Sequence, residues 1–379
     1  ERFWQLCQRL HASNWAFAAR RPVLPPRNGW DLNQLLGAIG PGNVLSGLLT
    51  AATVADLLRL CGCSGPRHQR LRRFLDLQLN LYSQEPADRT AALYGVTVLA
   101  MVQEPLGLWH LHGSMQALSN SLERALHQAG GELRLRHRVQ TLQASNDGWH
   151  VQGIGPKGQS FSIGATDVVC SLPPQSLPNL LGDQMPTGLQ RRVEGLGDPS
   201  GALVLYGAVA RDALPADCPS HLQLDWQQPG SLFISISQEG DGRAPAGQAT
   251  VIASVFTSAK CWFELEPAAY TTAKAEAQQG IEAGLKQLLG LQDSHWLHRE
   301  LATPRGFARW TGRPFGFVGG IGQAPDRFGP FGLASRSPLA GLWLCGDAIY
   351  PGEGTAGVSL SAEMAVRQLL AQRNEGRTA

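Results

Sequence analysis

Residues 341–368, GLWLCGDAIYPGEGTAGVSLSAEMAVRQ, constrain the fold of this chain more tightly than any other stretch. The apolar run Leu342 to Cys345 has the length of a fully buried strand. It stops on Gly346-Asp347 and gives way to Pro351-Gly352-Glu353-Gly354-Thr355-Ala356-Gly357, a loop rich in turn-forming residues. A helix is expected from Val358 to about Leu370, with Val358, Ala362, Ala365, Val366 and Leu369 on one apolar face. The pattern is strand, acidic turn, glycine loop, helix, a unit suited to an α/β fold.

Two readings fit this unit. In one it holds a flavin. Gly346 lets backbone approach a ligand with no side chain in the way, and Asp347 accepts hydrogen bonds from ribityl or ribose hydroxyls. The N–H groups near Gly357 and Val358 then offer the positive end of the helix dipole to the negative charge of a reduced flavin. In the other reading the unit is an ordinary strand-loop-helix whose aspartate caps the helix. Residue types and spacing leave both open.

GDAIYPGEGTAGVSLSA resembles the C-terminal flavin signature of the phytoene desaturase and carotenoid isomerase family, within the wider FAD-dependent amine-oxidase-like fold. Residues 302–359 look most like the carotenoid 3',4'-desaturases. The resemblance runs from about Leu93 to Arg367 and is strong again at GSMQALSNSLERALHQAGGELRLRHRV. It implies FAD as cofactor, held by Gly346, Asp347, Gly354, Thr355, Ala356, Gly357 and Val358, with the backbone at Val139 meeting the adenine ring. It also implies an α/β class (α+β, two-domain). An incomplete Rossmann-like FAD-binding domain would accompany a substrate domain with an antiparallel sheet and helices. The expected segments are 1–110, a helical substrate or membrane-facing part; 111–173, the middle of the FAD domain; 174–335, the substrate domain; and 336–379, the C-terminal part of the FAD domain.

The activity implied is carotenoid desaturation, expected to be of the 3',4' type. A hydride leaves the polyene for flavin N5, and loss of a proton completes the new double bond. A carotenoid cis–trans isomerase on the same fold and a non-catalytic carotenoid-binding protein are the rivals. No residue stands out as catalytic, and neither proton acceptor nor electron acceptor can be named.

Proteins resembling this one begin with a strand, Gly-x-Gly-x-x-Gly and a helix, whose N–H groups hold the FAD pyrophosphate. This chain begins ERFWQLCQRL, a helical pattern. The expectation is an N-terminally truncated chain, short of at least one βαβ unit of roughly 30 residues. A literal match occurs at Gly153-Ile154-Gly155-Pro156-Lys157-Gly158. WHVQGI before it and QSFSIGA after it both alternate as strands, so it reads as a hairpin tip. Gly320-Ile321-Gly322 likewise has no helix after it.

The net charge of +2 leaves no nucleic-acid footprint. Seven cysteines, an odd number, argue against a disulfide framework, and no Cys/His spacing suits zinc or another metal. Cys61 and Cys63 read as free thiols in a reducing compartment. No stretch is long and apolar enough for a transmembrane helix. The greasiest stretches, 44–60 and 91–109, are broken by Asp56, Arg59, Gln103, Glu104 and Pro105. They read as core helices, or as a surface lying on a bilayer or lining a lipid-like channel. Arg67, Arg70, Arg72 and Arg73 form a basic cluster, read as a solvated face or a contact with anionic headgroups. Peripheral attachment to the cytoplasmic side of a membrane is the expected location.

Residues 1–90 read as mostly helical, with helices over 30–36 and 43–60. A helix is expected over 114–129, capped by Ser114, followed by a strand over 132–139. Strands are expected at 167–171, 202–210, 231–237, 249–257 and from 298, and a helix over 270–289 with Ala273, Ala277, Ile281, Leu285 and Leu288 as its stripe. Between 304 and 332 the glycines, prolines and rings suggest little regular structure. Its aromatics either line an apolar cavity or pack between domains. The resemblance favours Trp310, Phe315 and Phe317 as substrate contacts, with Arg305, Arg309 and Arg313 as the charged neighbours.

Overall fold

In the computed structural model the described residues are 1–103, 107, 109, 111–198 and 200–378. Glu104 and Pro105, which break the second greasy stretch, lie outside them. The chain forms two compact units from interleaved segments. The first comprises Glu1–Leu108, Arg136–Pro199 and Gly319–Ala379; the second comprises Trp109–Leu135 and Ser200–Val318. Residues 111–135, expected with the cofactor segment, group with the second unit, and residues 319–335 group with the first.

The amino-terminal part of the first unit is helical: Arg2–Ala19, Gly29–Ala38, Pro41–Gly47, Val54–Leu60, Gln69–Ser83 and Ala92–Met101. The single helix expected over 43–60 is two. Thr53 starts the second, because its hydroxyl accepts the Asp56 N–H while the Asp56 carboxylate accepts the Thr53 N–H. Such a reciprocal cap satisfies amides that a helix start otherwise leaves unpaired. Phe3, Cys7, Val54, Leu57, Leu75, Leu79, Val96 and Leu99 form the shared core. Their spacing of three or four residues within each helix puts them on one face.

A second core of this unit underlies the strand-turn-helix. Strands Arg138–Ser145, Gly148–Ile154 and Ser160–Ala165 form an antiparallel meander. Val168–Cys170 pairs in parallel with Leu342–Leu344. Leu142, Trp149, Leu177, Leu342, Leu344, Ile349 and Met364 pack together around them. The strand expected from residue 132 starts only at Arg138, and Leu133 and Leu135 are exposed. Alternation there has no sheet face to bury. The GIGPKG segment is a hairpin tip: the Gly155 N–H donates to the Gln159 carbonyl and the Gly158 N–H to the Gly155 carbonyl.

The second unit carries a five-stranded antiparallel sheet in the order His221–Leu224, Leu232–Ile236, Gln248–Ser258, Ser200–Ala210, Trp296–Ala302. Helix Pro267–Leu289 buries Ala277, Ile281, Leu285 and Leu289. Leu289 takes the place in the stripe expected for Leu288, which is exposed. Helix Gln116–Gln128 has no buried residue, and Met115, Leu122 and Leu126 are exposed along it. Ser114 accepts the Gln116 N–H, just before the helix begins. Among the described residues no helix is long and apolar enough to cross a membrane, and no group of three or more His, Cys, Asp or Glu is placed to hold a metal ion.

Candidate functional site

The strand Leu342–Leu344 is buried at every position. Its pairing extends one residue further, as the Cys345 N–H donates to the Cys170 carbonyl at 3.0 Å. The chain then turns at Gly346, whose φ of 108° lies where L side chains are strained. The Gly346 N–H donates to the buried Ser361 hydroxyl at 3.0 Å, which stitches the turn to the helix Thr355–Thr378.

That helix shows its inner face through polar residues. Ser361, Met364, Ala365 and Gln368 are buried, whereas Ala362 and Val366 are exposed. The expected apolar face is therefore rotated, because serine and glutamine are both bonded inside the protein. Gln368 Nε2 donates to Asp31 at 3.0 Å, and Arg336 pairs with the same fully buried carboxylate at 3.3 Å. A buried carboxylate is tolerable only when paired and hydrogen-bonded in this way.

The helix starts at Thr355, three residues earlier than the expected Val358. Thr355, Ala356 and Gly357 thus have no N–H partner four residues back within the helix. The Val358 N–H, expected among the open amides, donates to the Gly354 carbonyl at 3.0 Å. Gly354, Thr355 and Ala356 are exposed, Gly357 and Val358 half-buried. A Cβ on Gly354 would meet nothing within 4 Å, so the space in front of the helix start is open. A Cβ on Gly357 would collide with the Gly352 carbonyl oxygen, so the loop can fold back on the helix only over a glycine.

A clamp holds the turn from behind. A Cβ on Gly320 would collide with the Asp347 carbonyl oxygen. The Gly320 N–H donates to Glu353 Oε2 at 3.2 Å, and Gln84 Nε2 donates to the same oxygen at 2.8 Å and to the Gly320 carbonyl at 3.2 Å. Gly352 packs on the buried Gln323, whose backbone bonds to Ser83 and Ala91. Gly320-Ile321-Gly322 is therefore a brace rather than a phosphate turn. Ser361, Gln84 and Gln323 were not legible as site residues, since each acts on a partner distant in sequence.

Burial raises the Tyr350 hydroxyl pKa, and burial, followed by the charge of Glu353, raises that of Tyr94. Burial, then the neighbouring Cys170, raises the Cys345 thiol, and burial raises Cys170 itself. Both thiols stay protonated at neutral pH and add no charge to the site. A flavin fits what is present: three amides at a positive helix end, a half-buried carboxylate at Asp347, and backbone bare of side chains at Gly346 and Gly354.

Val139 lies in the same unit, partly exposed on the strand Arg138–Ser145 at an irregularity in its pairing with the next strand. Trp310, Phe315 and Phe317 belong to the second unit. Residues 304–311, expected to be irregular, form the helix Pro304–Thr311. Trp310 is 83% exposed with the Arg309 guanidinium 5.7 Å from its ring centre. Phe315 sits between Phe263 and Phe317, at 5.3 and 5.8 Å between centroids, and Phe317 is buried. Arg305 donates to the Trp262 and Leu265 carbonyls and stacks 4.2 Å from the Tyr270 ring centre, a packing role.

Residues 47–370 match the profile of the flavin containing amine oxidoreductases. The chain is 24% identical over 317 residues to the chloroplastic prolycopene isomerase of Arabidopsis thaliana, covering 80% of this chain and 52% of that protein. Against the chloroplastic prolycopene isomerase of Daucus carota it is 24% identical over 273 residues, covering 68% and 43%. The chain thus spans about half the length of these relatives. Wild-type putrescine oxidase bound to putrescine matches with a TM-score of 0.60 at 17% identity, over 98% of this chain and 75% of that one. At that identity the likeness carries the fold alone, and the fold is amine-oxidase-like.

Proposed function

We propose a function from one premise: this chain belongs to the flavin containing amine oxidoreductase family, whose profile covers residues 47–370. It is an FAD-dependent oxidoreductase of the two-unit α/β kind. We infer that its substrate is a carotenoid, that it introduces a double bond, and that the bond is the 3',4' one. The single observation that carries the redox reading is the open, dipole-positive helix start at Thr355, clamped beside Asp347.

Bound FAD supplies acceptance of two electrons as a hydride. The chain's own residues bind and orient. The N–H groups of Thr355, Ala356 and Gly357 would face the ring edge and stabilise negative charge there. Asp347 would accept hydrogen bonds from the sugar-like tail, and the Val139 backbone would lie against the adenine. Gly346 and Gly354 leave backbone room for the ring, and Ser361 fixes Gly346. Val358 serves by closing the first helical bond onto Gly354. Trp310 and Phe315 are assigned to an apolar substrate that needs no nucleophile, whereas Phe317, expected beside them, is buried and packs behind Phe315. Carotenoids partition into lipid, so we place the protein at the cytoplasmic face of a membrane.

The likeness to prolycopene isomerases favours a second reading, isomerisation on the same site. Anaerobic incubation of the full reading frame with candidate carotenes tests both. A lengthened chromophore, two hydrogens lighter, with bleached flavin is the expected result. An unchanged molecular formula with altered double-bond geometry would replace desaturation by isomerisation. Protein that carries flavin yet leaves every polyene unchanged would overturn the carotenoid assignment.

A further inference from the structure

A cleft of about 470 Å³ in the first unit is lined by Arg27, Arg192, Asp326, Arg327, Phe331 and Gly332 along with neighbouring apolar groups, and shares no lining residue with the helix start at Thr355. Three guanidiniums face one carboxylate there. Arg192 is braced on the wall, its Nη2 donating to the Phe331 and Gly332 carbonyls. Burial, and then the charge of Arg27, hold the Arg192 pKa below its ordinary value. Asp326 does not serve these cations alone, because its charge also acts on Arg89. Arg327 reaches Glu85 at only 3.7 Å, and its Nε is buried with no hydrogen-bond partner among the described residues.

A buried guanidinium N–H without an acceptor is unfavourable, and so is a gathering of like charges. An oxyanion in the cleft relieves the second. Planar guanidiniums with fixed N–H forks match phosphate oxygens in pairs, and a multiply charged anion answers several cations at once. We propose that this cleft binds a small phosphate-bearing anion, with Arg27 and Arg192 as its charged arms and Arg327 as the inner donor. The site stands independently of the carotenoid reading. Its phosphate comes either from a free anion or from the diphosphate of a nucleotide cofactor.

Calorimetric titration of the 379-residue chain with inorganic phosphate and with pyrophosphate, in chloride at matched ionic strength, tests the proposal. Saturable binding is expected, tighter for pyrophosphate. Arg27→Ala, at an exposed position, weakens it about tenfold or more, as does Arg327→Gln. Arg27→Lys restores part of the affinity, and circular dichroism verifies each fold. Displacement of pyrophosphate by FAD would identify the cofactor as the source, and additive binding a free anion. Heats indistinguishable from chloride alone, or affinities unmoved in both Arg27→Ala and Arg327→Gln, would overturn the site.

Discussion

Two turns of the first unit carry the same glycine spacing and end in opposite chemistry. Residues 153–158 read GIGPKG and residues 352–357 read GEGTAG, both Gly-x-Gly-x-x-Gly. The first joins antiparallel strands, so the N–H groups of Gly155 and Gly158 are taken up by carbonyls of the hairpin itself. The second delivers the chain into a helix, so three successive amides share one open end. Glycine spacing permits close backbone approach in both places. The element that follows decides whether any donor is left for a ligand.

The largest expected effect that tests this contrast is at the helix turn. Gly357→Ala sets a methyl group against the Gly352 carbonyl, backbone against backbone. We expect a loss of about 3 kcal/mol, the upper end for overpacking, in urea unfolding. Flavin retention should fall with it, and an unchanged midpoint would erase the distinction between the turns. Ser361→Ala comes next. It leaves the Gly346 N–H without its acceptor, and about 1–2 kcal/mol should be lost by the same assay. Smallest is Gly158→Ala at the hairpin tip, where φ is 77° and nothing lies within 4 Å of an added Cβ. Backbone strain alone costs about 1 kcal/mol, and flavin retention should not change. A flavin defect there would mean the hairpin is more than a connector.

The order strand, turn, helix could be read from residues 341–368 because buried strands and amphipathic helices leave periodic traces. So could the strands around residues 202–210, 232–236 and 249–257. The exact helix start could not, since Gly354 has no side chain with which to announce a cap. Nor could the inner face of that helix, where Ser361 and Gln368 look solvent-facing until their partners Gly346 and Asp31 are known. The brace of Gln84, Gly320 and Glu353 joins three positions far apart in sequence, and nothing local in any of them reports the other two.

The helix Gln116–Gln128 has a practical bearing on all such measurements. With Met115, Leu122 and Leu126 turned to water, the purified polypeptide will adhere to phenyl resin and to plastic at low concentration. A mild detergent or carrier will keep it in the cuvette, and yields should be judged by recovery before any loss of signal is ascribed to unfolding.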